Sequence, residues 1–234
     1  MTPSPAFDPV TECPPPGRFP LTWDEVESEL VKANGFAESS TRGGLLEELR
    51  VHFALVELAT GTVGRLWLAR SFVSGKVDPE DVDVTYLIPP DAYARAMADP
   101  DTVDQIDNLG TKDWCVRQGL RVDAYVLRLP ETEDFRALGV TGAMAVDDHK
   151  VFEHLGVYDE IWQRCRSGRN GILRGALLVR HGPGGGTGRR GRAAVLSAYA
   201  NRRIIAAVLV STVRSPHGRE HHSYVVLDLS LNES

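Results

Sequence analysis

Three acidic residues occupy positions in which their side chains could hold a divalent cation. Asp81 and Asp83 open an alternating segment, residues 81–88, and Asp123 is the single acid of a second one, residues 120–127. Side chains two apart on a β-strand point to the same side, so Asp81 and Asp83 would share one face, about 6–7 Å apart. Carboxylates this close disfavour each other's ionisation unless a cation lies between them. Mg²⁺ prefers such oxygen ligands together with substrate phosphates.

The third acid extends this prediction to a cluster. If the strand of Asp123 lies beside that of Asp81, three carboxylates could hold two Mg²⁺ ions, one near an attacking oxygen and one on a triphosphate. A turn at Ser71 would offer backbone N–H groups and a hydroxyl to that triphosphate. An Asp-x-Asp pair alone is common on exposed strands and turns, so a surface feature is the alternative. The apolar flanks and the third acid favour the metal site.

The stretch that contains the turn and the acid pair resembles a known core motif. Residues 68–84 read LARSFVSGKVDPEDVDV. They are similar to the Gly-Ser turn and Asp-x-Asp strand of the DNA polymerase beta-type nucleotidyltransferase superfamily, in particular to its small bacterial members. Residues 152–178 resemble the closing segment of those proteins, so the resemblance covers about residues 14–180. It implies an α/β (α+β) nucleotidyltransferase fold, in which helices flank a small mixed β-sheet.

The resemblance also implies roles for individual residues. Asp81, Asp83 and Asp123 would be the metal ligands and the catalytic acids. Where the family has a glycine, which lets the backbone approach the triphosphate closely, this chain has Arg70. That arginine could contact phosphate itself or block the pocket. The nucleotide-binding residues would be Arg70, Ser71, Ser74 and Lys76.

The implied activity is magnesium-dependent transfer of a nucleoside monophosphate from a nucleoside triphosphate, such as ATP, to an acceptor hydroxyl. Related proteins include tRNA-modifying toxins of toxin–antitoxin systems, so tRNA, with its 3′ end as acceptor, or another RNA is expected, with a cognate antitoxin or toxin as a partner protein. Two alternatives stay open. One is a degenerate, antitoxin-like binding module, and the other is an enzyme that modifies a small molecule such as an antibiotic.

Basic residues are concentrated near the C-terminal end. The net charge is −6, yet twelve arginines and no acid lie between Glu160 and Glu220. The remainder holds 14 of the 26 basic residues against all 32 acidic ones. Such a basic segment could bind phosphates of RNA, or it could simply solvate the surface or pair with the acidic body. The candidate contacts for RNA or triphosphate are Arg164, Arg166, Arg169 and Arg174.

The elements that must position these residues follow from periodicity and turn signals. Thr22 and Glu25 form a capping-box pattern ahead of a first helix. Helices are predicted over about residues 23–32, 41–58, 93–98, 103–109 and 151–166, and strands over 65–69, 81–88, 120–127 and 224–229. Residues 172–179 fit a helix or a strand, and residues 193–213 could form a helix.

Composition is that of an ordinary globular protein, with 42% hydrophobic and 25% charged residues among 234. No apolar stretch is long enough to cross a bilayer, and the proline-rich start lacks the features of a signal peptide. Three widely spaced cysteines indicate neither a disulfide framework nor a zinc site, so a cytoplasmic protein is expected. The predicted organisation is a flexible arm (1–19), a nucleotidyltransferase-like domain (20–180), a Gly/Arg-rich linker (181–192) and a C-terminal extension (193–234).

Overall fold

The chain forms two compact units in a computed structural model, Met1–Gly186 and Thr187–Ser234. The structure describes residues 7, 12–15, 18–131, 146–162, 176–180, 208–214 and 220–226. The basic linker expected at residues 181–192 lies outside these ranges. Among the described residues, none of the helices is both long and apolar enough to span a membrane.

The described part of the first unit contains five strands and six α-helices. The strands are β1 (Arg18–Leu21), β2 (Arg65–Ala69), β3 (Val82–Ile88), β4 (Val122–Arg128) and β5 (Ala176–Arg180). The helices are α1 (Trp23–Leu30), α2 (Arg42–Thr60), α3 (Pro90–Met97), α4 (Pro100–Leu109), α5 (Lys112–Arg117) and α6 (Val146–Trp162). Short 3₁₀ helices lie at Asn34–Phe36 and Arg70–Val73.

The five strands form one mixed sheet in the order β1-β5-β2-β3-β4. Strands β1 and β5 are parallel, as are β3 and β4, while β2 is antiparallel to both β5 and β3. Pro20 lies in β1, which is an edge strand, and an edge is where a residue without an N–H is tolerated. The mixed α/β class and the mixed sheet were predicted from the sequence and are confirmed.

Local sequence signals explain the first two helices. The Thr22 hydroxyl accepts a hydrogen bond from Glu25 N, and Thr22 N donates to the Glu25 carboxylate, at 3.2 Å and 2.7 Å. This confirms the predicted capping box. Helix α2 ends where Gly61 adopts a positive φ of 82°. Its buried side chains include Leu45, Leu46, Leu49 and Val56, which form the apolar face that the helical spacing predicted.

Two segments differ from the expected organisation. Strand β1 begins at Arg18, inside the arm expected to end at residue 19, and Cys13 is buried. The short helix α5 (Lys112–Arg117) was not predicted, because six residues are too few to show a helical period. Residues 172–179 fitted a helix or a strand, and the described part of them, 176–179, lies in β5, whose backbone is paired with strands on both sides.

The described part of the second unit is an antiparallel pair, β6 (Val208–Arg214) and β7 (Glu220–Val226). A helix over residues 193–213 is therefore wrong for residues 208–213, and residues 193–207 lie outside the described ranges. Residues 208–213 are rich in β-branched side chains, which fit a pleated strand better than a helix. The strand predicted for 224–229 is confirmed over 224–226.

Candidate active site

Parallel pairing of β3 with β4 brings the three acids together. The register places Asp83 directly opposite Asp123, with Val82 opposite Val122. Asp81 is the residue immediately before β3. On the other side of β3, Ala69 at the end of β2 is paired with Asp83, so the turn that begins at Arg70 starts beside the acids. The three acids therefore lie at the same end of two neighbouring strands, and their function as metal ligands stays a prediction.

Two basic side chains engage the three carboxylates. Lys112, the first residue of α5, places Nζ 2.5 Å from Asp81 Oδ2 and 3.9 Å from Asp123 Oδ2. Arg70 donates from Nη1 to Asp83 Oδ1 at 2.8 Å. Lys112 was missed in the sequence, although one signal was available. It is the only lysine between Lys76 and Lys150, and it lies in the connection just before the strand of Asp123.

The titration behaviour of Asp83 reflects its surroundings. Burial raises the pKa of Asp83 to about 6, the Arg70 guanidinium opposes this, and the neighbouring Asp81 and Asp123 raise the pKa further. The pKa of Lys112 is raised, first by its hydrogen bond to Asp81. The pKa values of Asp83 and Lys112 thus depend on the neighbouring charges, as expected for groups within a few ångströms of one another.

The backbone of Arg70 has a conformation that favours glycine. Its φ is +59°, and among the described non-glycine residues only Glu12 also has a positive φ. This left-handed conformation costs an L-residue about 1–2 kcal/mol, whereas glycine adopts it freely. Arg70 therefore has a backbone shape that suits a glycine, and its side chain contacts Asp83.

The other residues of the turn are arranged differently. Ser74 donates from its hydroxyl to the carbonyl of Ser71 at 2.8 Å and is largely buried. Lys76 contacts the exposed Glu80, with Nζ 3.2 Å from Oε1. Ser74 thus stabilises the loop from within, and Lys76 does not contact any of the three acids in this arrangement.

The profile of one protein family, described as a family of unknown function (DUF6932), matches residues 5–177. The chain belongs to this family. The matched range contains the turn at Arg70–Val73, all three acids and Lys112. A search of curated proteins and a search of solved structures each found no match.

Next to the acids, this DUF6932 protein has an aromatic face on the same side of the sheet. Tyr125 follows Asp123 by two residues on β4, and its ring centroid lies 5.1 Å from that of Tyr158 on α6. Both tyrosines pack against a buried cluster formed by Trp67, Ala69 and Leu87. Arg18 lies over the Trp67 ring at 5.0 Å. Aromatic side chains from β2, β4 and α6 therefore lie on the sheet next to the three acids.

Four arginines of this DUF6932 protein were predicted to contact RNA or triphosphate. These are Arg164, Arg166, Arg169 and Arg174, and all four lie outside the described residues.

Whether the three acids can bind a metal ion depends on Arg70 and Lys112, which contact their carboxylate oxygens. Across the described ranges, no three His, Cys, Asp or Glu side chains are grouped so that they could hold a metal ion. The carboxylate oxygens that a cation would need are instead engaged by Arg70 and Lys112. The donor chemistry of the three predicted ligands suits Mg²⁺, since all of them are carboxylates. A cation would have to replace these two basic groups.

Proposed function

We propose that this protein is a magnesium-dependent nucleotidyltransferase with a nucleotidyltransferase fold, which transfers a nucleoside monophosphate from a nucleoside triphosphate to an acceptor hydroxyl. The observation that carries the proposal is the in-register pairing of Asp83 with Asp123 on adjacent parallel strands. Asp81 precedes the first of these strands, and the turn after β2 begins beside Asp83. Three carboxylates beside a serine-containing turn are what triphosphate chemistry through metal ions requires.

In this proposal Asp81, Asp83 and Asp123 would hold two Mg²⁺ ions. Bound Mg²⁺ would neutralise the triphosphate and favour ionisation of the acceptor hydroxyl. The chain's own residues would hold and orient the reactants. Arg70 and Lys112, which neutralise the acids in this structure, would exchange their carboxylate partners for phosphate oxygens, because a guanidinium and an ammonium bind either anion.

The proposed acceptor is RNA, with a tRNA 3′ end as the first choice and a toxin-type role. The arginine-rich stretch between Glu160 and Glu220 supports this choice, because it carries twelve arginines and no acid. A cluster of positive charge binds the phosphate backbone of RNA. A cognate antitoxin is then the expected partner protein.

A transfer assay tests the proposal directly. The protein is incubated with Mg²⁺, total tRNA and each of the four nucleoside triphosphates labelled at the α-phosphate. We expect label to appear in RNA with the native protein and not with the double variant Asp81→Ala, Asp83→Ala. Absence of transfer to RNA, to protein and to small molecules alike would refute the proposal.

A second candidate function is a binding module derived from such an enzyme and acting like an antitoxin on a partner protein. The observation that favours it is the pairing of Arg70 with Asp83 and of Lys112 with Asp81, which gives these two acids cationic partners without a metal. Calorimetric titration with Mg-ATP and Mg-CTP separates the two functions. Magnesium-dependent binding of either nucleotide supports the enzyme, and its absence supports the module.

A further inference from the structure

Arg42, the first residue of α2, is wholly buried and contacts the loop that follows the turn at Arg70–Val73. Its guanidinium donates hydrogen bonds to five backbone carbonyl groups. Four of these belong to residues 72–77, and the fifth belongs to the last residue of α1. The acceptors are the carbonyls of Leu30 (2.9 Å), Phe72 (2.8 Å), Ser74 (2.7 Å), Lys76 (2.6 Å) and Val77 (3.2 Å).

The surroundings of Arg42 keep its side chain fixed and charged. The guanidinium carbon lies 3.7 Å from the centroid of the Phe36 ring and 5.5 Å from that of Phe72. Burial lowers the pKa of Arg42 to about 10, so the group remains a cation at neutral pH. In the described part of the chain it makes no ion pair within 4.0 Å. Its charge is thus balanced at close range by carbonyl dipoles.

The same loop is held to α2 at a second point. The Asp78 carboxylate accepts hydrogen bonds from Ser39 Oγ at 3.0 Å and from Ser40 N at 2.8 Å, just ahead of the helix. The loop runs from the turn at Arg70–Val73 to Asp81, and Arg42 and Asp78 attach it to the chain around the start of α2. Arg70 contacts Asp83 at one end of the loop, and Asp81 is itself the other end. The conformation of the loop beside the three acids therefore depends on the start of α2.

We propose that Arg42 is a positioning residue that sets the conformation of residues 70–78 and thereby places the Ser71 turn beside the carboxylates. The effect on nucleotide binding rests on the proposed function, whereas the effect on the loop does not. Carbonyl oxygens that converge on one point repel each other unless a donor with several N–H groups satisfies them. Arginine offers five N–H donors in a planar fork, while lysine offers three on one atom, so lysine keeps the charge and loses the geometry.

The test compares Arg42→Lys with Arg50→Lys. Arg50 lies on the same helix but pairs with Glu27 and Glu47, away from the loop. Hydrogen exchange of the peptide that covers residues 70–78 reports on the loop, and calorimetry reports the dissociation constant for Mg-ATP. For Arg42→Lys we expect exchange and dissociation constant each to increase about tenfold, because several loop hydrogen bonds weaken together. For Arg50→Lys we expect no change in either.

The possible outcomes separate this proposal from the proposed function. Loop exchange as slow in Arg42→Lys as in the native protein would overturn the positioning role, as would faster exchange with unchanged Mg-ATP binding. If the native protein neither binds Mg-ATP nor transfers label, the proposed function fails, and the exchange comparison still decides whether Arg42 sets the loop. If Arg42→Lys does not fold, Asp78→Asn replaces it with Glu80→Gln as control, and the same two outcomes are expected.

Discussion

Arg70 and Asp83 form an ion pair in which the arginine has a backbone conformation suited to glycine. The Nη1–Oδ1 distance is 2.8 Å, and Arg70 has a φ of +59°. Asp83 is only 3% exposed, so its charge has little access to water. The backbone strain at Arg70 is therefore offset by the ion pair that its side chain makes with Asp83. Replacing Arg70 by glycine would remove the strain, but it would also leave the buried Asp83 carboxylate without this cationic partner.

We expect Arg70→Gly to increase stabilisation by divalent cations. Without metal, the relief of about 1–2 kcal/mol from the left-handed φ is offset by the loss of Asp83's partner, so the change in stability should be small. With Mn²⁺ or Mg²⁺ in excess, the cation can replace the guanidinium. The melting temperature should then rise by about 2–4 °C more than that of the native protein, as measured by scanning calorimetry.

The control for this experiment is the double variant Arg70→Gly, Asp83→Asn. Asparagine keeps the shape of the side chain but lacks the charge that attracts the cation. Its melting temperature should not respond to Mn²⁺ more than that of the native protein. An equal response of the single and double variants would show that the cation binds elsewhere.

The raised pKa of Asp83 predicts a specific dependence of stability on pH. Its folded-state pKa is about 6, against an ordinary value of 3.8. Between these values the folded protein binds more protons than the unfolded chain, so the stability contributed by protonated Asp83 is lost as the pH rises from about 4 to about 6. Asp83→Asn removes this loss. Relative to the native protein, its free energy of unfolding in urea should increase by about 1–3 kcal/mol between pH 4 and pH 7.

Asp78 provides a control, because its pKa is shifted in the opposite direction to that of Asp83. Hydrogen bonds from Ser40 and Ser39 lower the pKa of Asp78. Its stabilising contribution is present above its ordinary pKa and is lost as the pH falls. Asp78→Asn should therefore be most destabilised, relative to the native protein, at neutral pH. Identical pH profiles for the two variants would contradict at least one of the two assignments.

The sequence predicted much of the fold because several signals were local. The capping box at Thr22 and Glu25 and the apolar face of α2 depend on residues within one or two turns. Strand β5 could not be distinguished from a helix, because a short apolar run shows no decisive period and its pairing partners lie more than 100 residues away in β1 and β2. Strand β6 was missed for a related reason, since the apolar run over residues 193–213 shows no decisive period.

The candidate site was predicted in part. Alternation along two strands indicated that Asp81, Asp83 and Asp123 could share a face, but the register that places Asp83 opposite Asp123 depends on tertiary structure. Lys112 was not predicted, since its position depends on how α5 packs before β4. Arg42 shows no sequence signal beyond its place at the start of a helix, and its five carbonyl partners appear only once the chain is folded.

Lys112→Met should separate metal binding from nucleotide binding. The ammonium contacts Asp81 and Asp123, so its removal leaves their oxygens available to a cation. We expect Mn²⁺ alone to bind about tenfold more tightly than to the native protein, because a competing charge is gone. Mg-ATP should bind about tenfold more weakly, because a charged hydrogen bond to the triphosphate is lost. Calorimetry measures both constants.

Lys32→Met is the matched control for Lys112→Met. Lys32 makes an exposed ion pair with Glu27 and does not contact the three acids. Both dissociation constants should therefore stay at their native values. A parallel change in the two variants would indicate a general effect of net charge and would contradict a specific contact of Lys112 with the site.

The buried pair of His52 and Tyr86 predicts a stability effect that is independent of the site's chemistry. His52 Nε2 lies 2.9 Å from the carbonyl oxygen of Leu109, which can only accept, so Nε2 carries the proton. Nδ1 must then accept from the Tyr86 hydroxyl, 2.7 Å away. Burial lowers the pKa of His52 to about 4, which keeps the ring neutral at pH 7. Tyr86→Phe leaves Nδ1 buried without its donor, so the free energy of unfolding in urea should fall by about 1–3 kcal/mol.

Tyr93→Phe on α3 is the control, and it should change the free energy of unfolding by less than about 0.5 kcal/mol. Equal stability of Tyr86→Phe and the native protein would show that Nδ1 does not depend on this donor.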